Sequence, residues 1–250
     1  MIPYERQQLI VQHLGDTELM RIDELQDLLP EISVSTLRRD LKELERAGSV
    51  ELLQGGGVKL RGASHERGVQ VASTLHAAEK ELIARVANAE VADGDTVYVD
   101  SGTSGTALLR YLLDRDVTIY TGNGAACYVS GEIRAHVILI GGAFNPFTSS
   151  MTGPIAESIL NELYFDKAFL GVNAVCEERG VTNPSYDEAA KKRIVRNNAH
   201  ATYLLCDSSK FHQVSNVKVF DLEGLIIISE VSDDRLAKHV RILTPDDLKD

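Results

Sequence analysis

Apolar residues in the first part of the chain recur with a helical period and predict three short helices followed by a hairpin. The first expected helix spans residues 6–14 and the second spans residues 22–29. Four residues of the second are expected to face inward: Ile22, Leu25, Leu28 and Leu29. A short apolar run and the glycines at 55–57 then indicate a hairpin. This order is typical of a winged helix-turn-helix, a module that presents a recognition helix and a wing to DNA.

The third helix, expected over residues 33–48, has one apolar and one basic face. Leu37, Leu41 and Leu44 recur at i, i+4 and i+7 and therefore share a buried face. Ser33 suits the N-cap, and Gly48 suits the left-handed residue that ends a helix. With its N-terminal turn in the major groove, this helix would offer six residues to base edges and phosphates: Ser33, Ser35, Thr36, Arg38, Arg39 and Lys42. An ordinary surface helix with solvated charges is the alternative.

From residue 77 onward, short β-branched runs alternate with helical segments. This alternation predicts an α/β domain with a mostly parallel sheet covered on both faces. The expected strands are residues 96–100, 117–121, 136–140, 167–171, 201–206 and 225–228. The expected helices are residues 77–92, 106–113, 124–130, 154–163 and 187–199. Residues 61–76 lack a long periodicity, so we expect a DNA-binding domain at 1–60, a linker at 61–76 and a second domain at 77–250.

Small, polar and charged residues follow four of the expected strands. In a parallel sheet, ligands collect beyond the carboxyl ends of the strands. The loop from Ser101 to Thr106 combines glycines and hydroxyls at the start of a helix, an arrangement that suits an anion such as a sugar phosphate. It lacks the patterns of a nucleoside-triphosphate or dinucleotide loop, and an ordinary capped turn is the alternative. The candidate effector residues are Asp100, Ser101, Gly102, Thr103, Ser104, Thr121, Asn123, Gly141, Gly142, Asp207 and Lys210.

Lys210 supplies a cation beyond the strand at 201–206 and is the expected partner of the anion, although it could instead pair with Asp207. Asp100 and Asp207 could accept hydrogen bonds from sugar hydroxyls. Lys191 and Arg193, on a later helix, could also reach an anion, but a solvated helix face explains them equally well.

Composition narrows the class of protein. The chain has 250 residues, of which 44% are hydrophobic and 25% charged, as in soluble globular proteins. Its net charge of −11 argues against general affinity for nucleic acid, and residues 1–60 hold 7 Lys/Arg against 11 Asp/Glu. Four of those seven basic residues lie on the third expected helix, so the local field there differs from the net charge.

The three cysteines, Cys127, Cys176 and Cys206, lie far apart in apolar segments and predict buried thiols rather than disulfides or a metal site. No apolar run is long enough to cross a bilayer and no signal-peptide pattern is present, so we expect a cytoplasmic protein that binds no membrane. The histidines are scattered, and none lies beside a serine or cysteine in the arrangement of a hydrolase. We expect no catalytic residues, metal or cofactor.

The chain resembles the DeoR family of bacterial transcriptional regulators. The first stretch that carries this resemblance is Ile32-Ser33-Val34-Ser35-Thr36-Leu37-Arg38-Arg39-Asp40-Leu41, followed by Leu44-Glu45, Gly48 and the glycines at 55–57. The second part is Asp100-Ser101-Gly102-Thr103, Thr121 with Asn123, Gly141-Gly142, residues 166–171 and Asp207-Ser208-Ser209-Lys210-Phe211. The sequence departs from the family at Pro30, at the inserted Gly122 and in the wing, where Glu51 would repel phosphate.

This resemblance implies a winged helix-turn-helix joined to a sensor of a phosphorylated sugar, similar in fold to ribose-5-phosphate isomerase and the coenzyme A transferases. We therefore expect a repressor of a carbohydrate-utilisation operon that binds double-stranded operator DNA and is released by a sugar phosphate. A homodimer or homotetramer would read two half-sites. The alternatives are a sugar-phosphate isomerase-like enzyme, which would not need the N-terminal module, and a constitutive DNA-binding protein without an effector.

Overall fold

A computed structural model of the chain describes residues 1–15, 17, 19–61 and 68–248. These residues form two compact units, one from Met1 to Leu75 and one that begins at His76.

The first unit combines four helices with a small antiparallel sheet. Its helices are α1 (Pro3–Gly15), α2 (Ile22–Leu28), α3 (Val34–Arg46) and α4 (Val69–Thr74), and its strands are β1 (Met20–Arg21), β2 (Val50–Leu53) and β3 (Gly57–Leu60). The strands pair in the order β1-β3-β2, and β2 and β3 form the wing hairpin. The three helices and the hairpin predicted from the sequence are therefore confirmed.

Local interactions fix both ends of α3, as predicted. The Ser33 hydroxyl accepts a hydrogen bond from the Thr36 amide at 3.2 Å and caps the helix. At the other end Gly48 has a φ of 72°, and the Ser49 amide donates to the Leu44 carbonyl at 2.9 Å. Leu37, Leu41 and Leu44 are buried in the core of this unit.

Two predictions for this unit differ from the structure. Leu28 is 50% exposed rather than buried, because α2 ends there and its inward row consists of Leu25 and Leu29. The expected linker at 61–76 contains α4, whose Val71 packs in the core together with Leu75. Val71 and Leu75 are four residues apart and share one helix face, a signal too short to recognise in the sequence. The rest of that linker, residues 62–67, lies outside the described residues.

A parallel sheet of seven strands forms the centre of the second unit. Its strands, in spatial order, are β15 (Arg241–Leu243), β14 (Ile226–Ile228), β12 (Ala199–Leu205), β9 (Phe165–Gly171), β4 (Thr96–Val99), β5 (Thr118–Thr121) and β6 (His136–Leu139). The predicted α/β fold with a mostly parallel sheet is thus confirmed.

Two pairs of helices cover the sheet. Helices α5 (Ala77–Ala89) and α6 (Thr103–Leu112) pack on one face, with Val97, Val99 and Phe169 beneath them. Helices α7 (Pro154–Asn161) and α8 (Tyr186–Asn197) pack on the other, which carries Tyr98 and Leu170. Because successive strand residues point to opposite faces, both faces of the sheet are apolar, as a buried parallel sheet requires.

Several short elements were not predicted. They are the edge strand β15 of the main sheet, the hairpin β7 (Ala143–Asn145) and β8 (Ser150–Thr152), and a separate sheet of β10 (Ala174–Cys176), β11 (Gly180–Asn183) and β13 (Val217–Phe220). The helix expected at 124–130 is only a 3-10 turn over Gly124–Tyr128. Cys127 lies on this turn and is exposed, so its predicted burial is wrong, whereas Cys176 and Cys206 are buried.

Candidate nucleic-acid interface and effector site

The exposed face of α3 is the candidate DNA-reading surface. Ser35, Arg38, Arg39 and Lys42 are all exposed on it. In the described part of the chain, the side chains of the three basic residues among them make no hydrogen bond or ion pair with another residue. By contrast, Asp40 on the same helix is buried and accepts two hydrogen bonds from Arg6 of α1, at 2.7 and 3.0 Å. The Arg6–Asp40 pair therefore fixes the orientation of α3 while its basic side chains stay available to a ligand.

The side chains of Ser33 and Thr36, which were also expected to contact DNA, make hydrogen bonds within the protein. The Ser33 hydroxyl lies 2.8 Å from the Thr36 hydroxyl and 3.0 Å from the Ser35 hydroxyl, in addition to capping the helix. Ser33 and Thr36 thus close the first turn of the helix, and the candidate reading surface consists chiefly of Ser35, Arg38, Arg39 and Lys42.

The wing carries a charge pair that the sequence reading did not include. Glu51 and Lys59 are directly opposite in the β2–β3 register, and the Lys59 ammonium lies 3.2 Å from the Glu51 carboxylate. The carboxylate that was expected to repel phosphate is therefore compensated by a neighbouring cation.

In the second unit, the loop after β4 forms the candidate anion site. Gly102 has a φ of 103° and precedes α6 without a side-chain cap. Ser101, Gly102 and Thr103 are half-buried, so the loop reaches the surface, whereas Ser104 is buried. A β-carbon at Gly105 would collide with the Asp100 carbonyl oxygen, so α6 approaches the strand end as closely as it does only because this residue is glycine.

Thr121 and Asn123, at the end of β5, support this loop from beneath. The Asn123 side-chain amide donates to the Gly102 carbonyl at 3.2 Å and to the Thr106 hydroxyl at 3.0 Å. The Thr121 hydroxyl donates to the Val99 carbonyl at 2.6 Å and accepts from the backbone N–H of Asn123 at 3.1 Å. Both side chains are fully buried. Their place in the structure is that of supports for the loop.

The cation that contacts the loop is Lys191 of α8. Its ammonium donates to the Ser101 hydroxyl at 3.1 Å, the Ser150 hydroxyl at 2.9 Å and the Met151 carbonyl at 3.4 Å. The Ser150 hydroxyl also donates to Ser101 at 2.8 Å. Lys191 is 1% exposed, so the expected alternative of a solvated helix face is wrong for this residue. Arg193 instead donates to the Val219 carbonyl at 3.0 Å.

Three more buried charges complete this cluster. Lys191 lies 3.0 Å from the Glu188 carboxylate and 3.7 Å from Asp100, and Lys192 pairs with Asp100. Burial by itself would raise the pKa of Glu188, but the Lys191 and Lys192 ammonium groups hold it below its usual value. Asp100 is completely buried, and its Oδ1 has no hydrogen-bond partner among the residues that the structure describes.

Sequence reasoning missed Lys192 and Ser150 and gave no binding role to Glu188. A signal was nevertheless present: Glu188, Lys191, Lys192 and Val195 follow the i, i+3, i+4, i+7 pattern of a buried helix face. Three charges on the inward face of an amphipathic helix indicate an enclosed polar site.

The structure keeps Lys210 apart from this cluster. Strand β9 lies between β12 and β4, so the ends of those two strands are about 10 Å apart. The Lys210 ammonium lies 2.8 Å from the Asp207 carboxylate, the pairing named as an alternative. Asp207 is 1% exposed; burial alone would raise its pKa, but Lys210 holds the pKa well below the usual range. Gly141 and Gly142 follow β6, and a β-carbon at Gly142 would collide with the Thr152 carbonyl of β8.

Residues 6–60 match the DeoR-like helix-turn-helix domain, and residues 75–230 match the DeoR C terminal sensor domain. The chain belongs to the DeoR family. It is 34% identical to the HTH-type transcriptional regulator GlpR of Haloferax volcanii, over 90% of this chain and 88% of that protein. It is 29% identical to the transcriptional repressor AccR of Agrobacterium fabrum, over 84% of this chain and 83% of that one. The DeoR-family assignment makes this chain a DNA-binding transcriptional regulator, and we call its second unit the sensor domain.

Among solved structures, ribose 5-phosphate isomerase A from Methanocaldococcus jannaschii is similar, with a TM-score of 0.40 and 19% identity over 54% of this chain and 55% of that one. Within the described residues, no helix has the length and hydropathy to span a membrane. The same residues contain no group of three or more His, Cys, Asp or Glu side chains that could hold a metal ion.

Proposed function

We propose that this DeoR-family protein is a repressor of a carbohydrate-utilisation operon, and that a phosphorylated sugar bound in the sensor domain releases it from its operator. The observation that carries this proposal is the contact between the Ser101 loop, at the start of α6, and the buried ammonium of Lys191. Ser101 is the point where an anion at the helix N-terminus would meet a cation from α8.

The charge pattern of the helices supports two anion sites. Among the described helices of eight or more residues, α1, α5, α7 and α8 carry an acidic residue in the first turn, whereas α3 and α6 carry none. An acidic side chain there would favour the helix but would repel a bound anion. The two helix starts that are free of acid are those assigned to DNA phosphate and to the sugar phosphate.

The unsatisfied carboxylate oxygen of Asp100 favours a ligand that carries hydroxyl groups. Its Oδ1 is a buried acceptor without a hydrogen bond from the described residues, and it lies 3.7 Å from the Lys191 ammonium that contacts Ser101. When the phosphate draws the Lys191 ammonium toward the loop, a sugar hydroxyl can take its place beside this buried oxygen and donate to it. Leaving such a carboxylate oxygen unsatisfied is costly, so its pairing with ligand contributes to selectivity for sugars over inorganic phosphate.

A bound phosphate competes for the contacts of Lys191. The cluster contains two ammonium groups, Lys191 and Lys192, and two carboxylates, so it has no excess positive charge. An arriving phosphate therefore gains a cation only by taking the hydrogen bonds that Lys191 donates to Ser150 and Met151 of β8, and it gains Ser101 only by displacing the hydrogen bond that Ser150 donates to it. Ligand binding thus changes how firmly the β7–β8 hairpin is held.

The experiment combines two measurements on the full-length protein. Sugar phosphates and their parent sugars are first compared for the rise in melting temperature, since a ligand selective for the native state raises it. Any stabilising phosphate is then titrated into the complex with a fluorescent duplex selected from a random library. We expect release by one sugar phosphate and none by its parent sugar.

Two variants locate the site. Ser101→Ala should need at least ten-fold more ligand for release, because about 1.4 kcal/mol of a charge-assisted contact is lost. Ser232→Ala, an exposed serine of the same domain, should behave as the wild type. If the protein binds the duplex but no sugar phosphate releases it, the result would support constitutive DNA binding. Chemical conversion of the added sugar phosphate would support an isomerase-like enzyme.

A further inference from the structure

Val34, the first residue of α3, has an exposed apolar side chain that the fold does not use. It is 46% exposed, whereas the other apolar residues of α3, Leu37, Leu41 and Leu44, are at most 3% exposed. Valine is a poorer helix former than alanine or glutamate, and an acidic residue would suit the first turn better. Neither core packing nor helix stability therefore explains a valine here.

The position of Val34 relates it to the basic surface. Val34, Arg38, Lys42 and Arg46 are spaced by four residues, and all four are exposed, so they form one row along α3. Side chains on a helix lean toward its N-terminus, which directs Val34 beyond the basic part of the row. In helix-turn-helix complexes, the N-terminal residues of the recognition helix reach the base edges. The basic row matches the charge of DNA, and its one apolar member lies at the end that enters the groove.

Chemistry then limits what Val34 can recognise. Its side chain has no hydrogen-bonding group, and the only apolar group that a base pair presents in the major groove is the C5-methyl of thymine. The neighbouring Ser35 is exposed, and its hydroxyl, 3.0 Å from that of the capping Ser33, can serve a polar group beside the methyl. We propose that Val34 is a specificity-determining residue that contacts a thymine methyl in each operator half-site. This inference rests on DNA binding by α3.

The test uses a duplex selected from a random library by the full-length protein. Each thymine is replaced in turn by deoxyuridine, which lacks only the methyl group, and affinity is measured by fluorescence anisotropy at one salt concentration. We expect one particular thymine in each half-site to matter. Replacing either of these two thymines alone should weaken binding by the wild type about four-fold, as the loss of one buried methyl group predicts. Val34→Ala should bind the thymine and deoxyuridine duplexes equally.

Matched variants separate the methyl contact from other effects. Val34→Thr retains one methyl group and should keep part of the discrimination. Val231→Ala removes a valine of similar exposure, 47%, from the sensor domain and should discriminate as the wild type does. Circular dichroism of Val34→Ala should match the wild type, because the side chain is exposed.

Two results would overturn the proposal. In the first, the wild type binds every deoxyuridine duplex as tightly as the thymine duplex. In the second, Val34→Ala loses as much affinity on deoxyuridine replacement as the wild type does. Arg38→Ala, measured on the same duplex, shows which claim has failed. If Arg38→Ala binds weakly while deoxyuridine has no effect, α3 reads DNA and only the role of Val34 is wrong. If Arg38→Ala binds normally, DNA reading by α3 is itself wrong, and the inference about Val34 falls with it.

Discussion

Replacing Lys191 by methionine keeps most of the side-chain volume but removes the ammonium from the buried cluster. The Lys191 side chain is 1% exposed and that of Glu188 11%, so water screens this pair poorly. Removing one partner of a buried ion pair costs about 3–5 kcal/mol. Because Lys192 also lowers the pKa of Glu188 and remains in the variant, we expect the lower end, about 3 kcal/mol at pH 7.

The loss should depend on pH with a definite sign. In the wild type the pKa of Glu188 lies below its usual 4.5, so this carboxylate stabilises the fold above that pH and does so less as pH falls through the lowered value. Without Lys191, burial is opposed by fewer groups, so the pKa of Glu188 is higher than in the wild type and protonation relieves the unpaired charge sooner as pH falls. The destabilisation by Lys191→Met should therefore shrink between pH 7 and about pH 4.

Tyrosine fluorescence is a selective assay for this domain. The chain has no tryptophan, and all of its tyrosines except Tyr4 lie in the second unit. Urea unfolding followed by this signal should show the loss of about 3 kcal/mol, which corresponds to roughly 6–12 °C in melting temperature. The double variant with Glu188→Gln should recover part of it. A Lys191→Met midpoint equal to the wild type at pH 7 would refute the claim that this pair stabilises the domain.

Three further variants have defined outcomes. Gly105→Ala should lower the stability of the sensor domain by about 3 kcal/mol in the same urea assay, because its β-carbon collides with the Asp100 carbonyl oxygen; wild-type stability would mean that α6 can move away. Arg38→Ala should weaken operator binding about ten-fold or more in gel shifts at fixed salt, with unchanged circular dichroism; equal affinity would contradict the role of α3. Lys210→Ala should destabilise the fold at neutral pH, because it leaves the Asp207 carboxylate buried without its partner, and less so below the usual Asp pKa of 3.8; a pH-independent loss would exclude this cause. The same variant should need no more than two-fold extra effector for release from DNA. A ten-fold increase would instead indicate that the anion binds at the end of β12, beside Lys210.

Elements with local signals could be predicted from the sequence. Helix α3 has its cap at Ser33, its leucine period and its terminal Gly48 within a single stretch of chain, and all of these work as predicted. Six of the seven parallel strands are apolar runs that can be recognised one at a time, and the structure confirms them; the seventh, β15, has only three residues and was not predicted.

Features that depend on distant partners could not be predicted. The burial of Lys191 depends on Ser101, 90 residues away, and on Ser150, 41 residues away. The pairing of the Lys210 ammonium with Asp207 needed only neighbours, but the sequence could not show that β9 separates this pair from the Ser101 loop. The β7–β8 hairpin has only three residues in each strand, too few for alternation to be recognised.

The contacts of Lys191 have a consequence for anyone who recombines this protein with its relatives. The ammonium contacts three segments that are far apart in the sequence: the loop at Ser101, the strand that contains Ser150, and the helix that carries Glu188. A chimera that imports only the loop from another regulator would bring a sequence without its hydrogen-bonding partners. Exchanges intended to give the sensor a new ligand should therefore transfer all three segments as a set.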